Sequence, residues 1–404
     1  MNMNVAHKIA FVTPWFGEQI TGGAEMEARD LAHHLADAGM NVEILTTCVK
    51  AFTSDWNINY HNAGCFLESG LTVRRFPVRT RDTVAFDAVN RKLIFGERLE
   101  VGDEKIFLEE MINSPRLMEY IRTHQKEYDI FIFIPYMFGT TYYGVQQCRD
   151  KAVMIPCFHE ESYAHFDSFA REYSRIAGMV FNAAPEKTLT EGLMDLSHVE
   201  TVIMGIGMDT DILGNEAYFR RKYGIQGDYI LYAGRKDQGK NVDVLLEYFS
   251  RWKKRFPSDT KLVLIGGGEI GIPASVQADV MDLGFLSIQD KYDACAGSLF
   301  LCQPSQHESF SLVIMESWLC GRPVLVSGMC DVTRNFVQES QGGLYFSNYP
   351  EFEACVEYFR FHPEEANQMG KNGGIYVRQH FSWDQIVSSY KQFFERIVKK
   401  GKQV

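Results

Sequence analysis

The chain is poor in long hydrophobic runs and has no paired cysteine motifs. No apolar stretch in its 404 residues approaches the roughly 20 residues that a membrane-spanning helix needs. The nine cysteines occur singly, without a Cys-x-x-Cys pair, and Cys157, Cys302 and Cys320 lie in apolar runs. This pattern argues against a disulfide framework or a zinc site, and it favours reduced, buried thiols in a cytoplasm.

Positive charge is also scarce. The 41 basic residues against 52 acidic residues give a net charge of −11, so we do not expect a nucleic acid as a main partner. The first residues, Met1 to Asn4, lack the pattern of a signal peptide and lead directly into an apolar segment. A chain of this length predicts about two domains with sizeable cores.

Short apolar segments alternate with helical patterns along the whole chain. Continuous apolar strands between helices predict parallel sheets that are covered on both faces. Two such series predict an α/β protein of two doubly wound, Rossmann-like domains facing each other across a cleft. The predicted strands are residues 8–14, 41–47, 71–78, 129–135, 152–158, 178–183 and 200–205 in the first series, and 229–235, 261–268, 280–285, 298–305, 323–328 and 342–346 in the second.

The change-over between the two series falls in the segment "GIGMDTDILG", residues 205–214. Three glycines in this segment predict a hinge. We therefore expect domains over residues 1–207 and 208–381, followed by an amphipathic helix in 382–404 that ends in lysines.

Two cations follow the first strand of the second series, in "GRKDQGKN". Ligands of open parallel sheets bind outside the carboxyl ends of the strands. Arg235 and Lys240 on this loop suit a diphosphate, the first as a planar fork and the second as a point charge. A solvated surface loop is the alternative interpretation.

A carboxylate stands inside the apolar run "HESFSLVIMESWLCGRPVLV", residues 307–326. The Gly-Arg-Pro ending predicts a helix stop followed by a strand. Glu316 must then have an internal cationic partner, or face a cavity where a ligand hydroxyl can bond it. The backbone N–H groups of Phe310, Ser311 and Leu312 would form an anion site at the helix N-terminus, with Glu308 at the loop tip.

These segments resemble the retaining glycosyltransferases of family GT4, which have the GT-B fold. The spacing Glu308-x7-Glu316, the segment "GRKDQGKN" and the hinge segment "GIGMDTDIL" resemble the family's motifs. "TPWFGEQITGGAEMEARDLAHHLADAGMNVEILTT" resembles its N-terminal loop, with Gly22 and Gly23 as the glycine pair, and "FHEES" its catalytic histidine segment. The chain departs from the family where Ser309 and Ser311 replace two glycines, which narrows the predicted pocket.

The resemblance implies a role for each matching residue. The residues implied in catalysis are His159, Arg235, Lys240 and Glu308. His159 would orient or polarise the reacting group rather than attack it as a nucleophile. The alternative is that His159 is a structural histidine. The residues implied in donor binding are Gly22, Gly23, Arg235, Lys240, Gly267, Phe285, Leu286, Glu308, Ser309, Phe310, Ser311, Leu312 and Glu316. Glu316 would bind the ribose, and Glu308 the transferred sugar.

The resemblance further implies a cytoplasmic, metal-independent transferase without a cofactor. It would move a hexose from a nucleoside-diphosphate sugar, UDP- or GDP-hexose, to a glycan or lipid-linked glycan of a bacterial surface polysaccharide or lipopolysaccharide. The N-terminal domain would take the acceptor and the C-terminal domain the donor, and the last helix would return to the N-terminal domain. A nucleotide-sugar epimerase and a non-catalytic nucleotide-sugar binding protein remain the alternatives.

Three further patterns have competing interpretations. Asp209-Thr210-Asp211 matches a metal-binding Asp-x-Asp, but its position in the hinge segment disfavours a metal. "GGGEIG", residues 266–271, matches a dinucleotide fingerprint, but Pro273 follows instead of a helix, which favours a tight turn near the donor. The cluster Arg74, Arg75, Arg79 and Arg81 could meet inner-membrane headgroups, a phosphorylated acceptor or only water, with solvated surface favoured.

Overall fold

The computed structural model describes residues 7–18, 20 and 22–401, which fold as two compact units. The N-terminal unit contains the described residues up to Gly207 together with those from Trp383 onward, and the C-terminal unit is Met208–Ser382. Each unit is built around one sheet with its own apolar core.

The N-terminal unit contains an eight-stranded sheet in the order β3-β4-β2-β1-β5-β6-β7-β8. Its strands are β1 (Lys8–Thr13), β2 (Asn41–Thr47), β3 (Gly64–Glu68), β4 (Leu71–Phe76), β5 (Ile130–Phe133), β6 (Ala152–Met154), β7 (Gly178–Phe181) and β8 (Glu200–Ile203). The helices before the change-over are α1 (Gly23–Asp37), α2 (Thr83–Ile94), α3 (Val101–Glu110), α4 (Pro115–His124), α5 (Gly139–Val145), α6 (Asp167–Tyr173) and α7 (Ala184–Leu193).

The C-terminal unit contains a six-stranded parallel sheet in the order β11-β10-β9-β12-β13-β14. Its strands are β9 (Tyr229–Ala233), β10 (Lys261–Ile265), β11 (Val280–Asp282), β12 (Phe300–Gln303), β13 (Val324–Ser327) and β14 (Gly343–Phe346). Its helices are α8 (Glu216–Tyr223), α9 (Val242–Arg255), α10 (Ile288–Gly297), α11 (Leu312–Leu319), α12 (Asp331–Ser340), α13 (Tyr349–Phe361) and α14 (Pro363–His380).

Every strand predicted from the apolar pattern is present, and one further strand was missed. β3 is antiparallel to β4 and is joined to it by a tight turn at Ser69 and Gly70, both with positive φ. Most side chains of β3 are exposed, and its apolar run, Cys65-Phe66-Leu67, is shorter than the run of about four to eight residues that marks a buried strand. The first sheet is therefore mixed, with an antiparallel edge, rather than wholly parallel as predicted.

The last helix, α15 (Trp383–Gly401), packs within the N-terminal unit. Its apolar face includes Phe393 and Ile397, which lie so close to Gly178 of β7 that a Cβ there would be within 2.8 Å of both side chains. Lys391 Nζ also donates a hydrogen bond of 2.9 Å to the carbonyl of Ala38, after the end of α1. The last helix of the chain therefore packs against the first sheet at β7.

Helix α11 is held in place by unusually close contact with α14. A Cβ added to Gly373 would lie 2.2 Å from the indole ring of Trp318, and one added to Gly370 would lie 2.2 Å from the carbonyl oxygen of Gly321. Trp318 is buried, and its indole Nε1 donates a hydrogen bond of 2.7 Å to the carbonyl of Gly342. The absence of side chains on this face of α14 lets α11 lie against it and fixes where α11 begins.

We predict that Gly373→Ala lowers the stability of the protein, although alanine is the better helix former. The added methyl group must displace the Trp318 ring, and overpacking of this kind costs about 1–3 kcal/mol. Gly192→Ala in α7 is the matched control: nothing lies within 4 Å of its Cβ position, so it should gain up to about 1 kcal/mol. Calorimetric melting of both variants tests this, and a Gly373→Ala protein that melts at or above the wild type would contradict it.

Candidate functional site

The chain order of the second sheet reverses between β9 and β12. From β9 the chain moves outward through β10 and β11, then returns to β12 on the other side and continues through β13 and β14. The loops that follow β9 and β12 therefore leave neighbouring strands in opposite directions and open a crevice at the carboxyl edge of the sheet. This is the topological switch point at which doubly wound sheets bind ligands.

An ion pair joins the two loops at this switch point. Lys240, after β9, places its Nζ 2.7 Å from Oε1 of Glu308, which follows β12. The amide of Gln303, the last residue of β12, donates a weaker hydrogen bond of 3.4 Å to the same oxygen. The structure thus brings together two residues that the sequence places 68 positions apart.

The second predicted cation, Arg235, is more exposed than Lys240 and forms its ion pair within its own loop. Its side chain is 62% exposed, and its Nε lies 3.4 Å from the carboxylate of Asp237 on the same loop. A pair so exposed contributes little to stability, so the guanidinium is free to turn toward an anion at little cost. Arg235 is the accessible cation of this loop, and Lys240 the more buried one.

The Gly266–Gly268 turn after β10 packs closely against the loop that follows β9. A Cβ at Gly266 would lie 2.0 Å from the carbonyl oxygen of Gly234, and one at Gly268 would lie 2.9 Å from that of Lys236. Both residues have positive φ. Glycine is therefore needed here for backbone packing, and no helix follows directly, so the dinucleotide fingerprint is absent.

The remaining predicted residues of this edge are open to a ligand. Nothing lies within 4 Å of a Cβ at Gly267. Phe285, after β11, is 72% exposed, and Leu286 beside it is half-buried. A large aromatic ring exposed at a strand end can cover a flat ligand.

Helix α11 begins without a side-chain cap. Its N-cap residue, Ser311, has a φ of 88° and makes no side-chain capping hydrogen bond. The buried Oγ of Ser311 has no hydrogen-bond partner among the described residues. The N–H group of Leu312 therefore remains available for an anion, whereas that of Ile314 donates a hydrogen bond of 3.2 Å to the carbonyl of Ser311.

The two residues before Ser311, Phe310 and Ser309, differ in burial. The side chain of Phe310 is buried against Phe336 and Phe381 at centroid distances of 5.3 and 5.0 Å, so only its backbone can meet a ligand. Ser309 is half-buried and has no positive φ. Of the two serines that replace the glycines of the resemblance, only Ser311 occupies a conformation that favours glycine.

Glu316 has an internal cationic partner, which is one of the two alternatives that its place in an apolar run predicts. Its side chain lies in α11, the residue is 4% exposed, and its Oε1 accepts a hydrogen bond of 2.5 Å from Nζ of Lys291 in α10. The other oxygen, Oε2, is buried and has no hydrogen-bond partner among the described residues. Burial raises the pKa of the Glu316 carboxyl, and the charge and hydrogen bond of Lys291 oppose that rise.

The predicted residues of the N-terminal unit lie on two of its loops. Gly22 is the N-cap of α1, which has no side-chain cap, and nothing lies within 4 Å of a Cβ at Gly23. His159 follows β6, and its Nε2 lies 3.6 Å from Oε1 of Glu161. Burial raises the pKa of Glu161 to about 7, while a hydrogen bond from the Tyr136 hydroxyl opposes the rise.

The four arginines of the predicted basic cluster have partners inside the unit. Arg75 is buried and bonds both Glu68 and the carbonyl of Phe16. Arg74 pairs with Glu43, Arg79 with Glu110, and the guanidinium of Arg81 stacks on Trp56 and Phe86. The expectation of a solvated basic surface is therefore wrong for Arg75, and the other three are tied to neighbouring side chains.

Sequence reasoning missed two cations of the C-terminal unit. Lys236 is buried and forms an ion pair of 2.6 Å with Asp282 at the end of β11, and Lys291 pairs with Glu316. Lys236 could have been noticed, because it directly follows Arg235 at a strand end. Lys291 had no such signal, because its role depends on how α10 lies against α11.

The described residues contain neither a metal-binding cluster nor a helix that could span a membrane. Within the described ranges, no group of three or more His, Cys, Asp or Glu side chains is arranged to hold a metal ion, and this includes Asp209 and Asp211. No helix among the described residues is both long and apolar enough to cross a membrane. All nine cysteines are free thiols, but Cys157 and Cys320 are half-buried rather than buried as predicted.

Comparison with known sequences gives matches concentrated in part of the chain. The family described as Glycosyl transferases group 1 matches residues 227–358. A D-inositol 3-phosphate glycosyltransferase of Thermobifida fusca is 30% identical over 212 residues, which cover 47% of this chain and 48% of that protein. The chain spans about half the length of the curated relatives it matches.

Comparison with solved structures extends over nearly the whole chain. Sucrose-phosphate synthase from Thermosynechococcus elongatus has a TM-score of 0.72 at 16% identity, covering 98% of this chain and 100% of that one. HepE from Anabaena, solved in complex with UDP and glucose, has a TM-score of 0.69 at 16% identity, with 96% and 100% coverage. Similarity at this level of identity establishes a shared fold.

We predict that Ser311→Gly stabilises the protein without ligand. Glycine adopts this left-handed conformation without the cost of about 1 kcal/mol that a non-glycine residue has there, and the substitution also removes a buried hydroxyl without a partner among the described residues. Ser309→Gly is the matched control, because it lacks positive φ and should instead lose up to about 1 kcal/mol through the more flexible unfolded chain. Melting temperatures of the two variants test this prediction. A melting temperature of Ser311→Gly below that of the wild type would contradict it, because it would show that the hydroxyl is bonded and the backbone unstrained.

Proposed function

From the premise that residues 227–358 form a domain of the glycosyl transferases group 1 family, we propose that the chain is a retaining hexosyltransferase. It transfers a hexose from a nucleoside-diphosphate sugar to a glycan or lipid-linked glycan in the synthesis of a cell-surface polysaccharide or lipopolysaccharide. The reaction takes place in the cytoplasm. The predicted GT-B fold is confirmed by the two α/β units and by the full-length similarity to solved structures.

The ion pair between Lys240 and Glu308 at the switch point carries the proposal. It places a cation and a carboxylate in the crevice where such sheets bind nucleotides, beside the uncapped N-terminus of α11. A sugar diphosphate requires this combination, because its phosphates need positive charge and its sugar hydroxyls need acceptors. The similar fold of HepE, which holds UDP and glucose, supports a nucleotide-sugar donor of the UDP- or GDP-hexose type.

In this proposal the ion pair opens when the donor binds. Lys240 turns from Glu308 to the diphosphate, and the released Glu308 carboxylate accepts hydrogen bonds from hydroxyls of the transferred sugar. Arg235 and the first-turn N–H groups of α11 add positive charge to the same phosphates. The interactions of Lys240, Arg235 and these N–H groups with the phosphates strengthen as negative charge grows on the leaving diphosphate, and for that reason they accelerate the reaction.

The bond changes follow from retention of configuration. The bond between the anomeric carbon and the phosphate oxygen breaks, and the acceptor oxygen forms its bond to the same face of that carbon. The acceptor proton passes to an oxygen of the leaving phosphate. The protein then needs no nucleophile, and His159 orients or polarises the sugar.

We predict that Lys240→Ala and Arg235→Ala each lower kcat on the order of 100-fold, because each removes charge that stabilises the leaving diphosphate. Lys222→Ala is the matched control. Lys222 forms an ion pair of the same 2.7 Å length with Asp290 and lies in α8, away from the switch point, so its loss should leave turnover unchanged.

Product analysis with labelled donors measures these rates and separates the alternatives. Incubation with and without lipid-linked glycan distinguishes transfer from an epimerase, which would release free sugar or an isomer without any acceptor. A pure binding protein would form no product. Full turnover by Lys240→Ala would contradict the assigned role.

Metal independence is a separate prediction. Because Arg235, Lys240 and the helix N-terminus supply the positive charge, we expect turnover to survive an excess of EDTA. The measurement is initial rate before and after chelation. Activity that disappears and returns with magnesium or manganese would overturn the charge assignment.

A further inference from the structure

The pair formed by Glu316 and Lys291 is unlike an ordinary buried ion pair. A carboxylate has about four acceptor positions, and its burial is favourable when these positions are filled. Lys291 reaches Oε1 only, while Oε2 is buried and has no hydrogen-bond partner among the described residues. Leaving an oxygen of a buried carboxylate unbonded is costly, so a purely structural pair has no reason to retain it.

Among the residues that the structure describes, none donates a hydrogen bond to the second oxygen of Glu316. The neighbouring titratable groups are Tyr292 and Cys295 of α10 and Cys320 at the end of α11. Burial raises the pKa of Tyr292, and a hydrogen bond with Cys320 together with burial raises that of Cys295. Neither of these two groups carries charge at neutral pH, so the ionisation of Glu316 depends on Lys291.

Lys291 is also the partner that lies closer to the surface. Its side chain is 22% exposed, against 5% for that of Glu316, and it approaches from α10, whereas Glu316 belongs to the helix whose N-terminus opens at the switch point. The cation thus holds the carboxylate from one side. Oε2 of Glu316 is thus left without a hydrogen-bond partner among the described residues and can accept a hydrogen bond from a ligand.

We propose that Lys291 is a positioning residue of the nucleotide site: it binds one oxygen of Glu316 so that the other accepts a ribose hydroxyl. The inference rests on the proposed function, and it adds a residue that the matching motifs do not include. Lys291 itself contacts no ligand. It keeps Glu316 ionised in a buried place and limits its rotation, and a small turn of the carboxylate then brings Oε2 to the hydroxyl.

The experiment compares ligands that differ only in the ribose hydroxyls. Dissociation constants are measured calorimetrically for UDP and GDP and for their 2′,3′-dideoxy forms. We expect wild type to prefer the ribose forms by about 10–100-fold, the range of one or two charge-assisted hydrogen bonds. In Lys291→Met this preference should fall to near unity, while affinity for the dideoxy forms stays unchanged.

Four further variants make the comparison specific. Lys291→Arg should restore most of the preference, because it returns a cation to Glu316. Glu316→Gln should abolish it, and the double variant Glu316→Gln with Lys291→Met should behave like Glu316→Gln alone, since both changes act through one carboxylate. Lys222→Met, which removes another ion pair of the same unit, should leave the preference intact.

The preference is a ratio taken on one protein, so partial unfolding of a variant does not distort it. A Lys291→Met protein that melts lower but keeps the full preference would overturn the inference and leave the proposed function standing. A preference that increases would show that Lys291 competes with the ribose, and it too would overturn the inference. Wild-type protein that binds neither UDP nor GDP would overturn the proposed function together with the inference.

Discussion

The ion pair between Lys240 and Glu308 is the interaction on which the candidate site of the C-terminal unit is centred. It joins the loops that follow β9 and β12, the two strands between which the chain order of the sheet reverses. In a doubly wound sheet this reversal opens a crevice, and the pair keeps two opposite charges in it without a ligand. Because each partner satisfies the other, the empty site avoids the cost of isolated, partly buried charges.

The crevice has its shape because backbone segments pack closely around it. The glycines at 266 and 268 let the turn after β10 contact the loop after β9, where any side chain would collide with carbonyl oxygens. In the same way Gly370 and Gly373 of α14 admit α11, and the position of α11 sets where its uncapped N-terminus opens. Ser311 retains a left-handed backbone at that opening, which indicates that the helix start is held by its surroundings.

Glu316 shows how far sequence reasoning can reach at a single residue. Its place inside an apolar run establishes that the carboxylate must be paired or must face a ligand. In the structure one oxygen binds Lys291, and the other has no partner among the described residues. A sequence pattern represents the side chain as one group and so presents the two interpretations as exclusive, whereas its two oxygens meet different surroundings.

The apolar pattern of the sequence is enough to predict the α/β class, the thirteen strands and the loops on which Arg235, Lys240 and Glu308 lie, because buried parallel strands need continuous apolar runs and ligands bind at their carboxyl ends. It missed β3, whose apolar run of Cys65-Phe66-Leu67 is shorter than the run of about four to eight residues that marks a buried strand. Which charges meet is visible only in the folded chain: Lys240 pairs with Glu308, Lys236 with Asp282 and Lys291 with Glu316. Apolar periodicity reports which face of an element is buried, but the partner of a charged side chain depends on the register between elements that are distant in sequence.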